Sequence, residues 1–317
     1  MPTEKLSLRV TQELDNKRLD LALAALCPQH SRSRLQTWIR KGYVKVDGKA
    51  LRQRDTVKFE QNILLEAEFE IQQEWKKEEI PLDILFEDEA VLVLDKPAGL
   101  VVHPGAGNPG HTLLNALLFH SPQLAQVPRA GIVQRLDKET SGLMVIAKTP
   151  STHTYLVDQL QKRLVKREYQ AIVHGVMTAG GTVDAAIGRH HIQRKRMAVT
   201  ESGKPARTHY RVQTKYSAHT HVQLQLESGR THQIRVHMSH IRYPIVGDPV
   251  YGGRKRIPKN CSNELKELIA TFPRQALHAR HLEFTHPLSA RTESYTSKTP
   301  DDFQSLLVAL QTDLEQK

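Results

Sequence analysis

The chain has 317 residues, which is enough for about two domains with hydrophobic cores of their own. It carries 45 Lys and Arg against 34 Asp and Glu, a formal net charge of +11, and this excess favours a polyanionic partner such as a phosphate backbone. Cys27 and Cys261 are its only cysteines, which excludes a disulfide framework and a cysteine-rich metal site and indicates a reducing compartment. Because the sequence shows neither a signal peptide nor an apolar membrane span, we expect a cytoplasmic protein with no membrane partner.

The charge is unevenly distributed along the chain. The stretch from His30 to Lys58 has nine Lys and Arg against two acids, whereas the stretch from Phe59 to Ala90 has eleven acids against Lys76 and Lys77. This break in composition predicts a linker around Glu74 to Glu79. We therefore expect two domains, residues 1–77 and residues 78–317.

Two amphipathic helices are predicted near the start of the chain. Asn16 is a candidate cap for the first helix, whose apolar face carries Leu19, Leu23 and Leu26. Ser31 is a candidate cap for the second helix.

The second helix has an apolar face and a basic face. Leu35, Trp38 and Ile39 are expected to face inward, and Gly42 suits the position just after the helix end. Asp47-Gly48 between short alternating segments then predicts a hairpin turn. A basic face can be merely solvated, but the local excess of positive charge favours contacts with RNA or DNA phosphates. The candidate contact residues are Arg32, Arg34, Arg40 and Lys41.

From residue 78 onward the pattern mixes strands and helices. Strands are predicted for the segments AVLVLDKP, GLMVIAKT, EYQAIVHGVM and HVQLQLE. Helices are predicted for HTLLNALLFH, for THTYLVDQLQKRL, for HQIRVHMSH with Thr231 as its cap, and for the segment opened by Thr299-Pro300. The basic stretch from Arg189 to Arg211 lacks an apolar period and is predicted to form a loop or hairpin. This mixture predicts an α+β domain.

One glycine-rich segment, Gly105 to Gly110, matches the G-x-G-x-x-G pattern of dinucleotide-binding loops. Pro104 and Pro109 stiffen this turn and remove amide donors, and no acidic residue that could bind a ribose follows near Val127 to Ala130. We therefore predict a plain tight loop here and no nucleotide cofactor.

The chain has seventeen histidines, which raises the question of a metal site. The pairs His237 with His240 and His278 with His281 are not accompanied by an H-E-x-x-H or C-x-x-C motif. The serine elbow and the Walker A sequence are also absent. We therefore predict neither a catalytic metal nor a cofactor.

A polar turn from Arg135 to Gly142 directly precedes the predicted strand GLMVIAKT. Asp137 in this turn either presents its carboxylate to a cleft at the end of a sheet or stabilises the turn by bonding to nearby amides. Arg230 and Arg235 lie beside the start of a predicted helix and could pair with such a carboxylate. Spacing alone leaves the function open.

The exact sequence motifs are more specific than the spacing of single residues. The ordered segments DKPAGLVVHPG, RLDKETSGL, KREYQAIVHG, GRTHQIRVHM and GDPVYGG closely resemble the large-subunit ribosomal RNA pseudouridine synthases of the RluA family. The segment from Asn16 to Glu66 resembles the S4 RNA-binding domain that precedes the catalytic domain in such proteins. The resemblance implies an S4-like module followed by a catalytic domain with a mixed, largely antiparallel sheet, flanking helices and a central RNA cleft.

The resemblance also implies a reaction and the residues that perform it. Specific uridines of 23S ribosomal RNA would be flipped out and isomerised to pseudouridine, without a cofactor or a metal, by a protein that acts as a monomer. Asp137 matches the essential carboxylate of the family, which suits covalent capture or stabilisation of an electron-poor sugar. Arg135 matches the arginine thought to fill the vacated stack, and Tyr169 matches the tyrosine that packs against the base. Ile234 and Arg235 match the pocket wall and the arginine that pairs with the aspartate.

One position departs from the family pattern. Many relatives have His where this chain has Gln134; an amide can hydrogen-bond but cannot shuttle protons, so we predict a structural role there.

Other functions stay open. One alternative is the same chemistry on tRNA or another RNA. Another is a non-catalytic RNA-binding or ribosome-assembly factor, and a third is a nicotinamide-dependent enzyme that uses the glycine loop.

Overall fold

The protein is described by a computed structural model that covers residues 3–28, 30, 32–68, 75–105, 107–193, 196–253 and 257–316. The strands are β1 (Thr3–Arg9), β2 (Val44–Val46), β3 (Asn62–Glu68), β4 (Asp83–Glu87), β5 (Val91–Lys96), β6 (Ser141–Ala147), β7 (Lys166–His174), β8 (Gly181–Asp184), β9 (Ile187–Arg189), β10 (Met197–Val199), β11 (Arg207–Lys215), β12 (His219–Leu226), β13 (Leu277–Thr285) and β14 (Thr292–Thr296). The α-helices are α1 (Leu19–Leu26), α2 (Arg32–Arg40), α3 (Leu113–His120), α4 (Pro150–Gln161), α5 (Gln233–His240), α6 (Asn263–Thr271) and α7 (Asp301–Glu315). Short 3-10 helices cover Gln12–Leu14, Pro122–Gln126 and Pro128–Gly131.

The N-terminal elements share one small core. Apolar residues of α1 and α2 pack with the antiparallel sheet β1-β3-β2. The residues predicted to face inward from α2, namely Leu35, Trp38 and Ile39, are buried there, as expected for the apolar face of an amphipathic helix. The predicted helix pair is confirmed.

The predicted cap of α1 is wrong. Arg18, in an extended conformation, occupies the cap position directly before the helix. Asn16 lies two residues further back in a left-handed conformation with φ 57°, where its amide donates to the Asp15 carboxylate at 2.9 Å. A short polar side chain tolerates this conformation, which makes Asn16 a turn residue. Ser31, the predicted cap of α2, lies outside the described residues.

The glycine predicted just after α2 and the predicted Asp47-Gly48 turn are both found, but the hairpin is incomplete. Gly42 has φ 77° at the helix end, and Asp47 and Gly48 are both left-handed, as a tight two-residue turn requires. Beyond that turn Lys49 makes only an isolated bridge to Val46. The main partner of β2 is β3, so the expected second strand does not follow the turn.

The larger domain is built on a sheet with the strand order β4-β5-β6-β13-β7-β12-β11-β8, and β14 pairs with β13. The β6–β13 contact is parallel and the other pairings are antiparallel, which confirms the predicted mixed, largely antiparallel sheet. The predicted strands correspond to β5, β6, β7 and β12, and the predicted helices to α3, α4, α5 and α7. Only part of the basic stretch from Arg189 to Arg211 is a hairpin: β10 pairs with β9, which ends at Arg189, whereas the residues from Arg207 onward belong to β11 of the main sheet.

Two further features bear on the expected organisation. Trp75 packs against the main core, and the Lys76 carbonyl accepts a hydrogen bond from Asn115 at 2.7 Å, so the end of the predicted linker contacts the larger domain. No helix among the described residues is long and apolar enough to cross a membrane.

Candidate active site

A cleft of about 1070 Å³ opens beside the ends of β6 and β7 and the start of α5. All the residues of the larger domain that the sequence singled out as catalytic or RNA-binding line it. They are Arg135, Asp137, Tyr169, Ile234 and Arg235. The candidate residues of α2 lie elsewhere, in the N-terminal module.

Close backbone contacts hold the loop that carries Asp137 in position. The amide of Thr140 donates to the Asp137 carbonyl at 3.0 Å, and β6 then runs beside β13. Gly142 has φ 120°, and a Cβ there would lie 2.2 Å from the Ala279 carbonyl oxygen. Only glycine permits this approach of the two strands. The glycine at the start of β6 therefore fixes the position of the loop that carries Asp137.

A buried lysine ties the same loop to the end of β5. The Lys96 ammonium donates to the carbonyls of Pro97, Leu100 and Lys138 at 2.6, 2.9 and 3.1 Å. Burial lowers the pKa of Lys96 to about 7, against the opposing effect of the Glu139 and Asp137 carboxylates. Periodicity did not identify Lys96, although it stands in the DKPAGL segment.

Arg235 bridges two carboxylates at the first turn of α5. Its Nη1 donates to Asp137 Oδ2 at 2.9 Å, and its Nε and Nη2 donate to the two oxygens of Asp248 at 2.7 and 2.9 Å. Burial acts to lower the pKa of Arg235, but the two carboxylates outweigh it and raise that pKa. For Asp248, burial acts to raise the pKa, and the hydrogen bonds and charge of Arg235 reverse this effect and lower it. The result is a charged, buried cluster with one carboxylate facing the cleft.

His232 and Tyr251 extend this cluster, and sequence reasoning missed both. His232 is the cap of α5, with a left-handed φ of 57°, so the predicted Thr231 cap is wrong by one residue. Its Nε2 lies 3.8 Å from Asp137 Oδ1, and its Nδ1 lies 2.8 Å from the Tyr251 hydroxyl. That hydroxyl also accepts from the Met197 amide at 2.9 Å. A buried hydroxyl must donate its own proton, which assigns the His232 proton to Nε2, toward Asp137.

The remaining cleft residues differ in exposure. Tyr169 is 7% exposed, and burial raises the pKa of its hydroxyl, which therefore stays protonated at neutral pH. Ile234 is also buried, whereas Arg135 is exposed at the rim. The side-chain oxygen of Gln134 is buried and makes no hydrogen bond with any described residue, so this oxygen does not support the structural role predicted for it.

The basic residues of α2 have different surroundings. Arg32 donates to Asp20 at 2.6 and 3.2 Å and so ties α2 to α1. Arg34 lies above the Trp38 ring at 5.8 Å. Arg40 donates to Thr37 within its own helix, and Lys41 is exposed just after the helix.

The histidine pairs have structural surroundings. His237 bonds to Thr208 and to the Ala185 carbonyl, both at 2.9 Å. His278 lies between Ser141 and Ser297, at 3.0 Å from each hydroxyl. Within the part of the chain that the structure describes, no group of three or more His, Cys, Asp or Glu could hold a metal ion.

Comparison with known proteins agrees with the fold. Residues 90–240 match the RNA pseudouridylate synthase family, and residues 17–63 match the S4 domain. The ribosomal large subunit pseudouridine synthase D of Pseudomonas aeruginosa is 58% identical over 303 residues, which cover 96% of this chain and 95% of the relative. The enzyme of the same name from Haemophilus influenzae is 50% identical over 314 residues, covering 99% of this chain and 97% of the relative.

A solved structure supports the same assignment. Human RNA pseudouridylate synthase domain containing 4 superimposes with a TM-score of 0.57 at 27% identity, over 72% of this chain and 93% of that protein. The chain therefore belongs to the RNA pseudouridylate synthase family and is an isomerase that carries an S4 domain ahead of its synthase domain.

Proposed function

We propose that this chain converts specific uridines of large-subunit ribosomal RNA to pseudouridine, with Asp137 as the catalytic carboxylate. The names of the relatives from Pseudomonas aeruginosa and Haemophilus influenzae support the ribosomal target. The observation that carries the residue assignment is the Asp137 carboxylate, held 2.9 Å from Arg235 Nη1 at the wall of a cleft large enough for a nucleotide.

The reaction moves one glycosidic bond within a flipped nucleotide. The N1–C1′ bond of uridine breaks and its electron pair stays on the uracil ring, which leaves C1′ electron-poor. Asp137 either bonds to C1′, and this bond breaks when C5 attacks C1′, or takes the proton from C2′ and returns it to C2′ as C5 attacks; both routes require an ionised carboxylate. The ring turns, C5 bonds to C1′, the C5 proton leaves and N1 gains a proton. Product and substrate are isomers, so no redox cofactor is needed.

The other cleft residues are assigned from position and chemistry. Tyr169, buried and protonated, would pack against the flipped base, and Ile234 would form the wall of the base pocket. Arg135 at the exposed rim would occupy the space that the flipped base leaves, where a planar cation can also meet phosphates. Arg235 would hold the Asp137 carboxylate in place through their 2.9 Å ion pair.

The proposed partner is large-subunit ribosomal RNA, either free or within an assembling large subunit. The S4 match and the net charge of +11 support RNA binding. We further propose that the protein acts in the cytoplasm as a monomer.

The test compares two variants of the same loop. Asp137→Asn keeps the shape but removes the charge, and should reduce tritium release from RNA carrying C5-labelled uridine at least about 10³-fold while leaving RNA affinity nearly unchanged. Glu139→Gln makes the same chemical change two residues away and should retain activity. Near-normal turnover by Asp137→Asn would remove Asp137 from the mechanism.

The target is tested in cells. Pseudouridine is mapped in total RNA with the wild-type protein, with Asp137→Asn, and without the protein. The proposal expects sites in large-subunit ribosomal RNA that depend on the wild-type protein only. Sites confined to tRNA would overturn the ribosomal assignment.

A further inference from the structure

Arg167 is a buried cation that the mechanism above does not use. It is the second residue of β7, is 8% exposed and lines the same cleft as Asp137. Its guanidinium makes no hydrogen bond or ion pair with any described residue, and its Nε is fully enclosed. Sequence reasoning passed over it, because KREYQ contains two adjacent basic residues and only the strand alternation decides which one is buried.

An unpaired buried cation is unfavourable for the free protein. Burial lowers the pKa of Arg167, and no carboxylate among the described residues opposes this effect. An arginine nevertheless stays charged at neutral pH. Buried charges are normally paired, because the loss of hydration must be offset by a partner. The position of this one in the cleft indicates that its partner is part of the substrate.

The depth of Arg167 indicates which part of the substrate it meets. Residues two apart on a strand point to the same face, so Arg167 and Tyr169 lie side by side, and both are buried. The cleft arginines Arg135, Arg163 and Arg230 are exposed. Phosphates remain near solvent when a nucleotide is flipped, whereas the base goes to the bottom of the pocket. The depth of Arg167 therefore favours a contact with the base over one with a phosphate.

The wall opposite Arg167 is kept open by a glycine. A Cβ at Gly229 would lie 3.1 Å from the Arg167 Nη1, which is close enough to crowd the guanidinium. The absence of a side chain at Gly229, which also lines the cleft, leaves space beside this N–H group.

We propose that Arg167 is a catalytic residue that donates to a carbonyl oxygen of the flipped uracil and stabilises the negative charge that the ring carries while it is detached. This inference rests on the proposed function. When the N1–C1′ bond breaks, the ring keeps the electron pair, and the charge is shared by N1 and the two carbonyl oxygens. It is discharged when C5 gives an electron pair to C1′. The role is the same whether Asp137 attacks C1′ or takes the C2′ proton.

The first experiment measures single-turnover tritium release at saturating RNA, using a large-subunit ribosomal RNA fragment labelled at C5 of uridine. Arg167→Gln should slow the reaction about 10²- to 10³-fold, as expected for the loss of one preorganised donor, with RNA affinity unchanged within about threefold. Arg167→Lys keeps the charge without the planar fork, so its rate should lie between those of the wild type and Arg167→Gln. Arg163→Gln is the matched control: Arg163 lines the same cleft but is exposed and paired with Glu227, so the saturated rate should not change.

The second experiment changes the leaving group. In 6-azauridine the extra ring nitrogen stabilises the detached anion, so the ring needs less help from the protein. With this nucleotide at the target site, the loss caused by Arg167→Gln should shrink about tenfold or more. An equal loss with both rings would overturn the inference.

Thermal unfolding of the free protein separates this role from a structural one. Removing an unpaired buried cation should leave the melting temperature unchanged or raise it, whereas removing a structural interaction would lower it. A variant that lowers affinity but not the saturated rate would identify Arg167 as a phosphate ligand and overturn the inference. If Arg167→Gln does not fold, Arg167→Lys provides the test. A saturated rate of Arg167→Lys equal to that of the wild type, with both uridine and 6-azauridine at the target site, would also overturn the inference. Absence of tritium release by the wild type would instead refute the proposed function.

Discussion

The carboxylate of Asp248 accepts two hydrogen bonds from the Arg235 guanidinium, at 2.7 Å from Nε and 2.9 Å from Nη2. Asp248 is itself fixed, because its Oδ1 also accepts from the amides of Val250 and Tyr251 at 2.9 Å each. A bidentate contact sets the plane of the guanidinium as well as its position. The remaining nitrogen, Nη1, is thereby aimed at Asp137.

The first prediction concerns Arg235. Arg235→Ala should slow isomerisation about 10²-fold or more, because Asp137 loses its cation and the site loses a fixed charge. Arg235→Lys should recover part of the rate, since a point charge replaces the fork. The Ala variant also leaves Asp248 buried and unpaired, which costs about 3–5 kcal/mol of stability. A double variant with Asp248→Asn should regain stability but not activity. Recovery of both would contradict the assigned role of Arg235.

The second prediction concerns Asp248. Asp248→Asn should lower the unfolding free energy at pH 7 by about 1.5–3 kcal/mol, the value of a charged hydrogen bond, and slow isomerisation about 10- to 100-fold because Arg235 is less well oriented. The lowered pKa of Asp248 gives the sign of the pH effect. Its stabilisation is complete above the ordinary value of 3.8 and is lost as the pH falls through the lower folded-state pKa.

Denaturant unfolding of the wild type and Asp248→Asn between pH 7 and pH 3 tests this dependence. The gap in unfolding free energy should be constant at neutral pH and narrow in acid. Asp184→Asn is the control, because Asp184 pairs with Arg207 while 58% exposed, and a surface pair contributes less than about 1 kcal/mol. A gap that does not change with pH would mean that Asp248 is not ionised in the folded protein.

The third prediction concerns the Tyr251 hydroxyl. Burial lowers the pKa of His232, against the opposing charge of Asp137, so the ring is neutral at pH 7 and its tautomer depends on its partner. Tyr251→Phe keeps the ring that lies 5.0 Å from the Arg235 guanidinium but loses the donor to His232. The expected loss of about 0.5–1.5 kcal/mol corresponds to a rate about 2- to 10-fold lower, measured at saturating RNA. No change in rate would show that the tautomer is unimportant.

The sequence predicts most elements of the fold because they carry local signals. The segment GLMVIAKT is a strand since its apolar run is buried on both faces of β6. The parallel contact of β6 with β13 has no local signal, because His278 and Ser141 are 137 residues apart. Local periodicity cannot specify such a pairing.

The site also combines residues that the sequence singled out with contacts that have no local signal. Asp137 and Arg235 are 98 residues apart; their opposite charges allow a pair with either Arg230 or Arg235, and only the family resemblance selects Arg235. His232, Asp248 and Lys96 stand in the quoted segments but have no periodic signal. Their roles depend on contacts between side chains from different elements, which the order of residues does not contain.

The last prediction concerns the basic face of α2. Arg32 ties α2 to Asp20 of α1, and its replacement would also disturb the packing of the two helices, so the test uses Arg34, Arg40 and Lys41. Replacing these three by Gln in the full chain should weaken binding to long folded ribosomal RNA and reduce the slope of log affinity against log salt, by about 0.7–0.9 for each phosphate that is no longer neutralised. The saturated rate on a small stem-loop should not change, because the cleft is untouched. A matched variant with Arg242, Lys266 and Arg291 replaced by Gln removes the same charge from exposed positions of the larger domain. Equal slopes for the two variants would mean that net charge alone matters and that this face of the S4 domain does not touch the RNA.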